Sequence, residues 1–189
     1  EVRACVSVPG YDPADPAASL TAADSPMLNR AFQSYAVGSV FKPVLAAAAL
    51  EAGETGLVYT CPGWCAVDGR IFRCAGGIPH GEVDLAGALE KSCNGYFIRL
   101  GQALGADAVR AMAEQLGFGQ AIQLTDALHT AAGVLPEQEA LASSGAYANF
   151  CFGQGELLAT PVQVASVAHQ TGKKQVLSET FALCGWDVS

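Results

Sequence analysis

A chain of 189 residues is long enough for one domain with its own hydrophobic core, and an apolar content of 51% excludes a disordered protein. The net charge of −8 argues against nucleic acid as a partner, since phosphate binding needs clustered Lys and Arg side chains. The longest apolar run, residues 44–50, is much shorter than the roughly twenty residues that cross a bilayer. No secretion signal is visible, and we expect the chain to be part of a longer protein.

The first third of the chain predicts one strand and one long helix. Residues 2–8 alternate and are rich in β-formers, which predicts a strand that ends at the turn of residues 9–13. A helix is expected over residues 39–52, with Pro43 in its first turn, where a missing N–H is tolerated.

The rest of the chain is expected to be mainly helical. The predicted helices are 83–91, 95–104, 106–116 and 161–168, with a short helix opening at Pro136 inside the otherwise irregular stretch 120–145. Thr160 and Pro161 suit the cap and first position of the last long helix. Residues 179–186 alternate again and predict a strand. Few strands and many helices indicate an α+β fold, with helices packed on a small sheet.

The most informative motif is Ser39-x-x-Lys42. Positions i and i+3 share one face of a helix, so the Lys42 amine can reach the Ser39 hydroxyl. An isolated pair of this kind is usually an exposed helix face with a solvated lysine. About fifty residues later, Ser92-Cys93-Asn94 offers a hydroxyl and a carboxamide on a turn between two predicted helices. Together the two motifs predict an activated serine nucleophile.

Seven cysteines are an odd number for a fully paired chain. Cys61, Cys65 and Cys74 lie in one glycine-punctuated loop, which permits a Cys61–Cys74 disulfide, free thiols, or a zinc site completed by His80. The disulfide is favoured and no metal is predicted, because a zinc ribbon usually has two close cysteine pairs. The remaining cysteines, expected to pack as small buried apolar groups, are Cys5, Cys93, Cys151 and Cys184.

In order and approximate spacing, these motifs resemble the transpeptidase domain of penicillin-binding proteins, and most closely the class B, monofunctional type. The matching motifs are Ser39-x-x-Lys42-Pro43, Ser92-x-Asn94, Gly153-Gln154-Gly155 and Thr160-Pro161. Shorter matches extend the resemblance over residues 1–168. It implies the penicillin-binding and serine β-lactamase-like α+β fold, with helices on a small antiparallel sheet, as one incomplete domain over 1–189. Residues 169–189 are then a displaced C-terminal strand segment.

The resemblance implies acyl transfer on peptidoglycan, in which a serine attacks the D-Ala-D-Ala bond of one stem peptide and passes the acyl group to an amine on another. By matching position, Ser39 is the nucleophile, Lys42 its general base and Ser92 a proton relay to the leaving amine. Asn94 is a hydrogen-bond partner of Lys42 and of the substrate amide. Burial beside hydroxyls is expected to lower the lysine pKa toward a value useful for a base.

The same resemblance implies the partners and the location. It implies that stem peptides and β-lactam antibiotics bind covalently at the serine, and it implies no cofactor. A membrane glycosyltransferase of the elongation or division machinery is a further implied partner. The implied location is the extracytoplasmic face of the bacterial cell membrane, through an anchor absent from this chain.

The chain departs from the family at its Lys-Thr/Ser-Gly triplet, which is expected on an edge strand well after the Gly-Gln-Gly segment. Only Gln170-Thr171-Gly172 is present, either as a degenerate triplet or as the turn after a missing segment. We favour a missing segment, because residues 181–186 look like the next strand. Loss of an oxyanion donor on that strand would slow turnover by roughly a hundred- to a thousand-fold. The secondary candidates for substrate binding are Thr171, Gly172, Gly153 and Gln154.

Two other classes of function remain open. A serine β-lactamase or β-lactam sensor shares the Ser-x-x-Lys helix, but no glutamate motif for a hydrolytic water is identifiable. A catalytically degenerate domain that only binds a partner protein is the second. The histidines His80, His129 and His169 do not support a Ser-His-Asp triad, because no serine lies in a Gly-x-Ser-x-Gly elbow.

Overall fold

The computed structural model describes residues 4–171. The α-helices are α1 (Pro16–Leu20), α2 (Lys42–Ala52), α3 (Leu85–Glu90), α4 (Asn94–Leu104), α5 (Ala106–Gln115), α6 (Ser144–Phe150) and α7 (Pro161–Thr171). The strands are β1 (Tyr35–Ala36), β2 (Tyr59–Cys61), β3 (Trp64–Val67), β4 (Arg70–Arg73), β5 (Gly81–Val83), β6 (Gln123–Thr125), β7 (Leu128–His129) and β8 (Leu158–Ala159). None of the helices within 4–171 combines the length and apolar character needed to span a bilayer.

The strands pair as short antiparallel ribbons. In the described residues β1 pairs with β8, β2 with β5, β3 with β4, and β6 with β7, each as a separate two-stranded sheet. The α+β class is therefore confirmed, although the single small sheet expected from the sequence is divided into four ribbons here. The β1–β8 pair places residues 35–36 against 158–159, so it fixes the segment that leads into α2.

Helix α2 forms the centre of the core. Nearly every residue from Lys42 to Ala49 is buried, and the helix packs against α4 and α5. A helix that is apolar on all sides is stable only when surrounded, and its four consecutive alanines let its neighbours approach closely. The Phe41 ring, just before α2, lies 5.3 Å from the Phe118 ring and 4.9 Å from the Phe150 ring. The start of α2 is thus held in a rigid apolar setting.

The main helices form where the sequence predicts, with ends that differ by up to three residues. The run expected over 39–52 is a 3-10 turn (Gly38–Phe41) that continues into α2, with Pro43 in the first turn. Helix α3 starts two residues later than expected, because 81–83 pair as β5 and the Asp84 carboxylate caps the helix by accepting from Gly87 N at 2.8 Å.

Two predicted elements differ in the structure. No strand forms over residues 4–8, where Val6 is 80% and Val8 is 71% exposed and no described strand lies alongside. The stretch 120–145 is more regular than expected, since it contains the β6–β7 hairpin. The short helix expected to open at Pro136 begins four residues later, as a 3-10 helix (Ala140–Ala142), and α6 follows it. The strand predicted over 179–186 lies outside the described residues.

The start of α7 is closed by a reciprocal cap. Gln163 N donates to Thr160 Oγ1 at 3.1 Å, and Thr160 N donates to Gln163 Oε1 at 2.7 Å. This is the capping-box arrangement, so Thr160 and Pro161 take the positions that the sequence predicts. The helix continues to Thr171, three residues beyond the expected end.

Candidate active site

Ser39 and Lys42 lie on consecutive turns at the start of the central helix. The distance from Lys42 Nζ to Ser39 Oγ is 2.9 Å. Ser39 is exposed to solvent, whereas Lys42 is only 2% exposed. An exposed hydroxyl therefore lies within hydrogen-bond distance of a buried amine.

The turn between α3 and α4 supplies the other partners of this amine. Lys42 Nζ donates to Ser92 Oγ, to Ser92 O and to Asn94 Oδ1, each at 2.7 Å. Ser92 adopts φ +51°, a left-handed conformation that turns both its hydroxyl and its carbonyl toward the amine. Residues fifty positions apart thus meet at one nitrogen, and the two motifs singled out from the sequence form one site.

The surroundings of Lys42 favour its neutral form. Burial lowers the pKa of Lys42 from its ordinary value of 10.5 to about 8, against a smaller opposite effect of the thiols of Cys74 and Cys93. A neutral amine keeps a lone pair, so it can accept the Ser39 proton while donating to two of the other oxygens. The site can therefore perform general-base chemistry near neutral pH.

Asn94 is oriented by a second hydrogen bond. Its Nδ2 donates to Arg73 O, at the end of β4, at 2.8 Å. Because the amide nitrogen is engaged there, the amide oxygen faces Lys42. The sequence did not predict this backbone partner or the Ser92 carbonyl, because every residue has a backbone carbonyl and no residue type identifies the ones that accept these bonds.

The Gly-Gln-Gly segment packs against the turn that carries Ser39. Gly38 N donates to Gly153 O at 2.7 Å, and a Cβ on Gly153 would overlap Gly38 O. Gly153 has φ +78°, which also favours glycine. Gly153 therefore supports the turn of the candidate nucleophile directly, and its role in substrate binding stays a prediction.

A broad groove opens beside the three polar side chains. Ser39, Lys42 and Ser92 line a groove of about 820 Å³ whose remaining walls are mainly apolar. These walls include Tyr35, Val40, Phe118 and Val164. Gln154 instead lines a separate pocket of about 240 Å³ near Arg70. Among the described residues, the groove is the surface on which an extended substrate would meet Ser39.

The remaining substrate-binding candidates do not join this cluster. Thr171 ends helix α7, so it does not lie on an edge strand as a degenerate triplet would. Gly172 lies outside the described residues, as does the segment expected to follow a missing strand.

The cysteines differ from expectation in two respects. Cys61 and Cys74 are free thiols with Sγ atoms 3.7 Å apart, so the predicted disulfide, with its S–S bond of about 2.05 Å, is not present. Cys5 is exposed rather than buried. Cys93 and Cys151 are buried, as predicted, and Cys184 lies outside the described residues.

A comparison with protein families decides the relationship of this chain. The model of the penicillin-binding protein transpeptidase domain matches residues 1–176. The chain belongs to this family. It is 36% identical to the peptidoglycan D,D-transpeptidase PbpA of Mycolicibacterium smegmatis, over 89% of this chain and 37% of that protein. It is 30% identical to the peptidoglycan D,D-transpeptidase MrdA of Acinetobacter baumannii, over 87% of this chain and 28% of that protein.

Solved structures support the same relationship. Penicillin-binding protein A of M. tuberculosis, as a ceftriaxone acyl-enzyme complex, superposes with a TM-score of 0.80 at 32% identity, covering 89% of this chain and 41% of that one. The D,D-transpeptidase domain of a peptidoglycan glycosyltransferase from Eggerthella lenta gives a TM-score of 0.80 at 30% identity, covering 88% of this chain and 45% of that one. The family and fold implied by the sequence are confirmed, and the chain spans less than half of these relatives.

Proposed function

We propose that this chain carries the nucleophile-bearing part of a peptidoglycan D,D-transpeptidase that works through a serine acyl-enzyme. The observation that carries the proposal is the single buried amine of Lys42, within 2.9 Å of the oxygens of Ser39, Ser92 and Asn94. An exposed hydroxyl, a base of lowered pKa and a second hydroxyl are the groups that acyl transfer needs.

In the first step, neutral Lys42 takes the proton of Ser39 Oγ while that oxygen attacks the carbonyl carbon between the two D-Ala residues. The oxyanion then forms next to the helical turn that begins α2, where backbone N–H groups are not used by the helix. The Ser39 N–H is the proposed donor on this side.

In the second step, the C–N bond breaks and the terminal D-Ala leaves as an amine. The proton held by Lys42 reaches that amine through the Ser92 hydroxyl, which accepts from Lys42 at 2.7 Å. An ester remains on Ser39. The amine of a second stem peptide then attacks the ester, gives its proton back along the same path, and restores the Ser39 hydroxyl.

A β-lactam would be attacked by the same route, with its ring amide in place of the peptide bond. The solved acyl-enzyme complex of penicillin-binding protein A from M. tuberculosis supports this proposal for a chain of such similarity. The proposed substrates are therefore peptidoglycan stem peptides, and the proposed inhibitors are β-lactams.

The proposed place of action is the extracytoplasmic face of the bacterial membrane, where peptidoglycan is assembled. A membrane glycosyltransferase of the elongation or division machinery is the proposed partner. Support comes from a similar chain, at 28% identity and a TM-score of 0.72, in a peptidoglycan synthase complex that coordinates polymerization and crosslinking.

Covalent labelling by a fluorescent penicillin tests the proposal. We expect Ser39→Ala to abolish labelling in a protein that contains this chain, because no other group would form the ester. Cys65→Ser is the control and is expected to label normally, because Cys65 is buried and its thiol donates to Ala66 O, not to the groups around Lys42.

Each outcome of that experiment separates the alternatives. A stable adduct on Ser39 supports a transpeptidase, rapid release of the adduct supports a β-lactamase, and no adduct supports a non-catalytic domain. Labelling that survives Ser39→Ala would contradict the assignment of the nucleophile.

A further inference from the structure

A second pocket, separate from the groove, lies beside the segment that supports the Ser39 turn. It has a volume of about 240 Å³ and shares no lining residue with the groove. Phe150 and Gln154 belong to its wall. The Phe150 ring lies 4.9 Å from the Phe41 ring, and Gln154 Nε2 lies 3.6 Å from the position that a Cβ on Gly38 would take. The pocket is therefore close to the turn that carries Ser39, although its lining is distinct from that of the groove.

Two side chains of opposite charge line this pocket without being paired. Arg70 comes from β4 and Glu156 from the segment between α6 and β8, and both are exposed. In the part of the chain that the structure describes, the ion pairs are made by Arg110. Within the same part, neither Arg70 nor Glu156 has a side-chain hydrogen bond to another protein group. A guanidinium and a carboxylate are therefore both available to a ligand in the pocket.

The other groups that line the pocket suit an amino acid. Asn149, half-buried on α6, and Gln154 line it, and neither side-chain amide is hydrogen-bonded to another residue of 4–171. An amide both donates and accepts, so it can bind either charged end of a zwitterion. The buried side chains of Leu141 and Phe150 provide an apolar wall. A volume of about 240 Å³ is below the roughly 300–1,000 Å³ of pockets for drug-sized ligands, so the pocket suits a small molecule.

The position of the Arg70 guanidinium depends on a glycine. A Cβ on Gly145, in the first turn of α6, would overlap Arg70 Nη1. The overlap involves the far end of a flexible side chain, so an alanine there would displace the guanidinium and leave the backbone in place. Alanine is also favourable within a helix. Gly145→Ala therefore moves the positive charge of the pocket without removing it.

We propose that this pocket binds a small zwitterionic amino acid, with its carboxylate on Arg70 and its ammonium on Glu156. Arginine presents a planar fork of donors that matches a carboxylate, and a glutamate accepts hydrogen bonds from an ammonium. The side-chain amides of Asn149 and Gln154 complete the polar contacts. The apolar wall takes a small side chain such as a methyl group.

The proposed reaction would release such a molecule near the pocket. Breakage of the C–N bond frees the terminal D-Ala, which then carries both an ammonium and a carboxylate. This choice of source rests on the proposed function, whereas the binding of a zwitterion does not. Released D-alanine and amino acids in general share the same chemistry, so the two hands of alanine distinguish these sources.

Titration of the purified full chain with D-alanine tests the site. Two-dimensional NMR follows the side-chain NH₂ signals of Asn149 and Gln154. We expect saturable shifts of these signals, with an affinity that falls as salt is raised, because exposed charges are screened. Arg70→Gln and Glu156→Gln should each weaken binding by up to about fivefold, which is the effect of losing one exposed ion pair.

Control variants remove a charge elsewhere on the surface. Arg99 on α4 and Glu51 on α2 are exposed and do not line the pocket. Arg99→Gln and Glu51→Gln should therefore bind D-alanine as the wild type does. Gly145→Ala should weaken binding although it keeps every charge. Unchanged backbone signals outside the pocket show that each variant is folded.

Tighter binding of D-alanine than of L-alanine identifies the released product as the ligand, and equal or tighter binding of L-alanine identifies amino acids in general. N-acetyl-D-alanine lacks the ammonium and should bind about fivefold more weakly than D-alanine. The site is overturned if D-alanine gives no saturable shift, if N-acetyl-D-alanine binds equally well, or if Arg70→Gln behaves like Arg99→Gln. None of these readouts involves penicillin labelling, so a failure of this site is distinguishable from a failure of the proposed transpeptidase function.

Discussion

The Lys42 amine has more oxygen partners than it has protons to donate. Its ammonium form has three N–H groups, whereas four oxygens from Ser39, Ser92 and Asn94 lie within 2.9 Å. Loss of one proton leaves a lone pair that can accept from the Ser39 hydroxyl and two N–H donors for two of the three remaining oxygens. Burial favours the neutral amine, whereas the accepting oxygens favour the ammonium form, and the net effect is a lowered pKa of Lys42.

This balance predicts the pH dependence of acylation. Because burial lowers the pKa of Lys42 to about 8, the amine is protonated below that pH and lacks the lone pair that accepts the Ser39 proton. The rate constant for acylation by a β-lactam should rise about tenfold per pH unit below the pKa and level off above about 8. It is measured by fluorescent labelling across this range, with folding checked by circular dichroism.

A profile that continues to rise toward pH 10 would contradict the lowered pKa. A rate independent of pH would contradict the role of Lys42 as the base. In either case, Ser39 and Lys42 could still be hydrogen-bonded, but the proposed transfer of the Ser39 proton to a neutral Lys42 amine would be wrong.

At the scale of elements, the turn before α2 is held from outside by the segment after α6. Gly153 approaches Gly38 so closely that a side chain cannot be accommodated, while Gly155, two residues later, has open space around it apart from Asn149 at 3.5 Å. Both glycines have positive φ, +78° for Gly153 and +83° for Gly155. An alanine at Gly155 therefore measures the cost of the left-handed backbone alone. An alanine at Gly153 adds the cost of steric overlap with Gly38.

We expect Gly155→Ala to lower the free energy of unfolding by about 1 kcal/mol, from the left-handed backbone alone. Gly153→Ala should lower it by about 2 kcal/mol more, because the new methyl group must displace the Gly38 carbonyl. It should also slow penicillin labelling, since Ser39 follows Gly38. Urea denaturation of the two variants measures the difference, and equal losses would show that the Gly38–Gly153 approach is not tight.

At the scale of the whole molecule, one buried amide joins three distant parts of the chain. Gln163, 1% exposed, donates through Nε2 to Gln120 O and Ala132 O, each at 2.7 Å, and accepts from Thr160 N. The start of α7 is thereby fastened to the segments on both sides of the β6–β7 hairpin.

Replacement of Gln163 by Met keeps the length of the side chain but removes these bonds. Because the buried N–H of Thr160 and the carbonyls of Gln120 and Ala132 would lose their partner, we expect Gln163→Met to lower the free energy of unfolding by about 3 kcal/mol. Gln102→Met, on the exposed face of α4, is the matched control and should change stability by no more than about 0.5 kcal/mol. Equal stabilities in chemical denaturation would contradict the anchoring role.

The sequence predicts the helices and the meeting of Ser39 with Lys42 because both follow from local spacing. It predicts the contact with Ser92 only through family resemblance, since fifty residues separate the two motifs and no periodicity relates them. The ribbons were harder to predict, because β6 and β7 are only two or three residues long and have little alternation. The burial of Cys93 was predicted, but its approach to Cys61 and Cys74 was not, because those residues come from distant segments of the chain.

Ser39 and Lys42, the proposed nucleophile and base, lie within one continuous helical segment, whereas Ser92 and Asn94 belong to a turn that packs against it from a distant part of the chain. If that turn opens, Ser39 and Lys42 stay together, but the amine gains access to water and recovers the proton that burial had removed. Heat or mild denaturant would then stop acylation of Ser39 while most of the backbone remains ordered. The earliest thermal damage to this protein would therefore be a change of charge on one nitrogen.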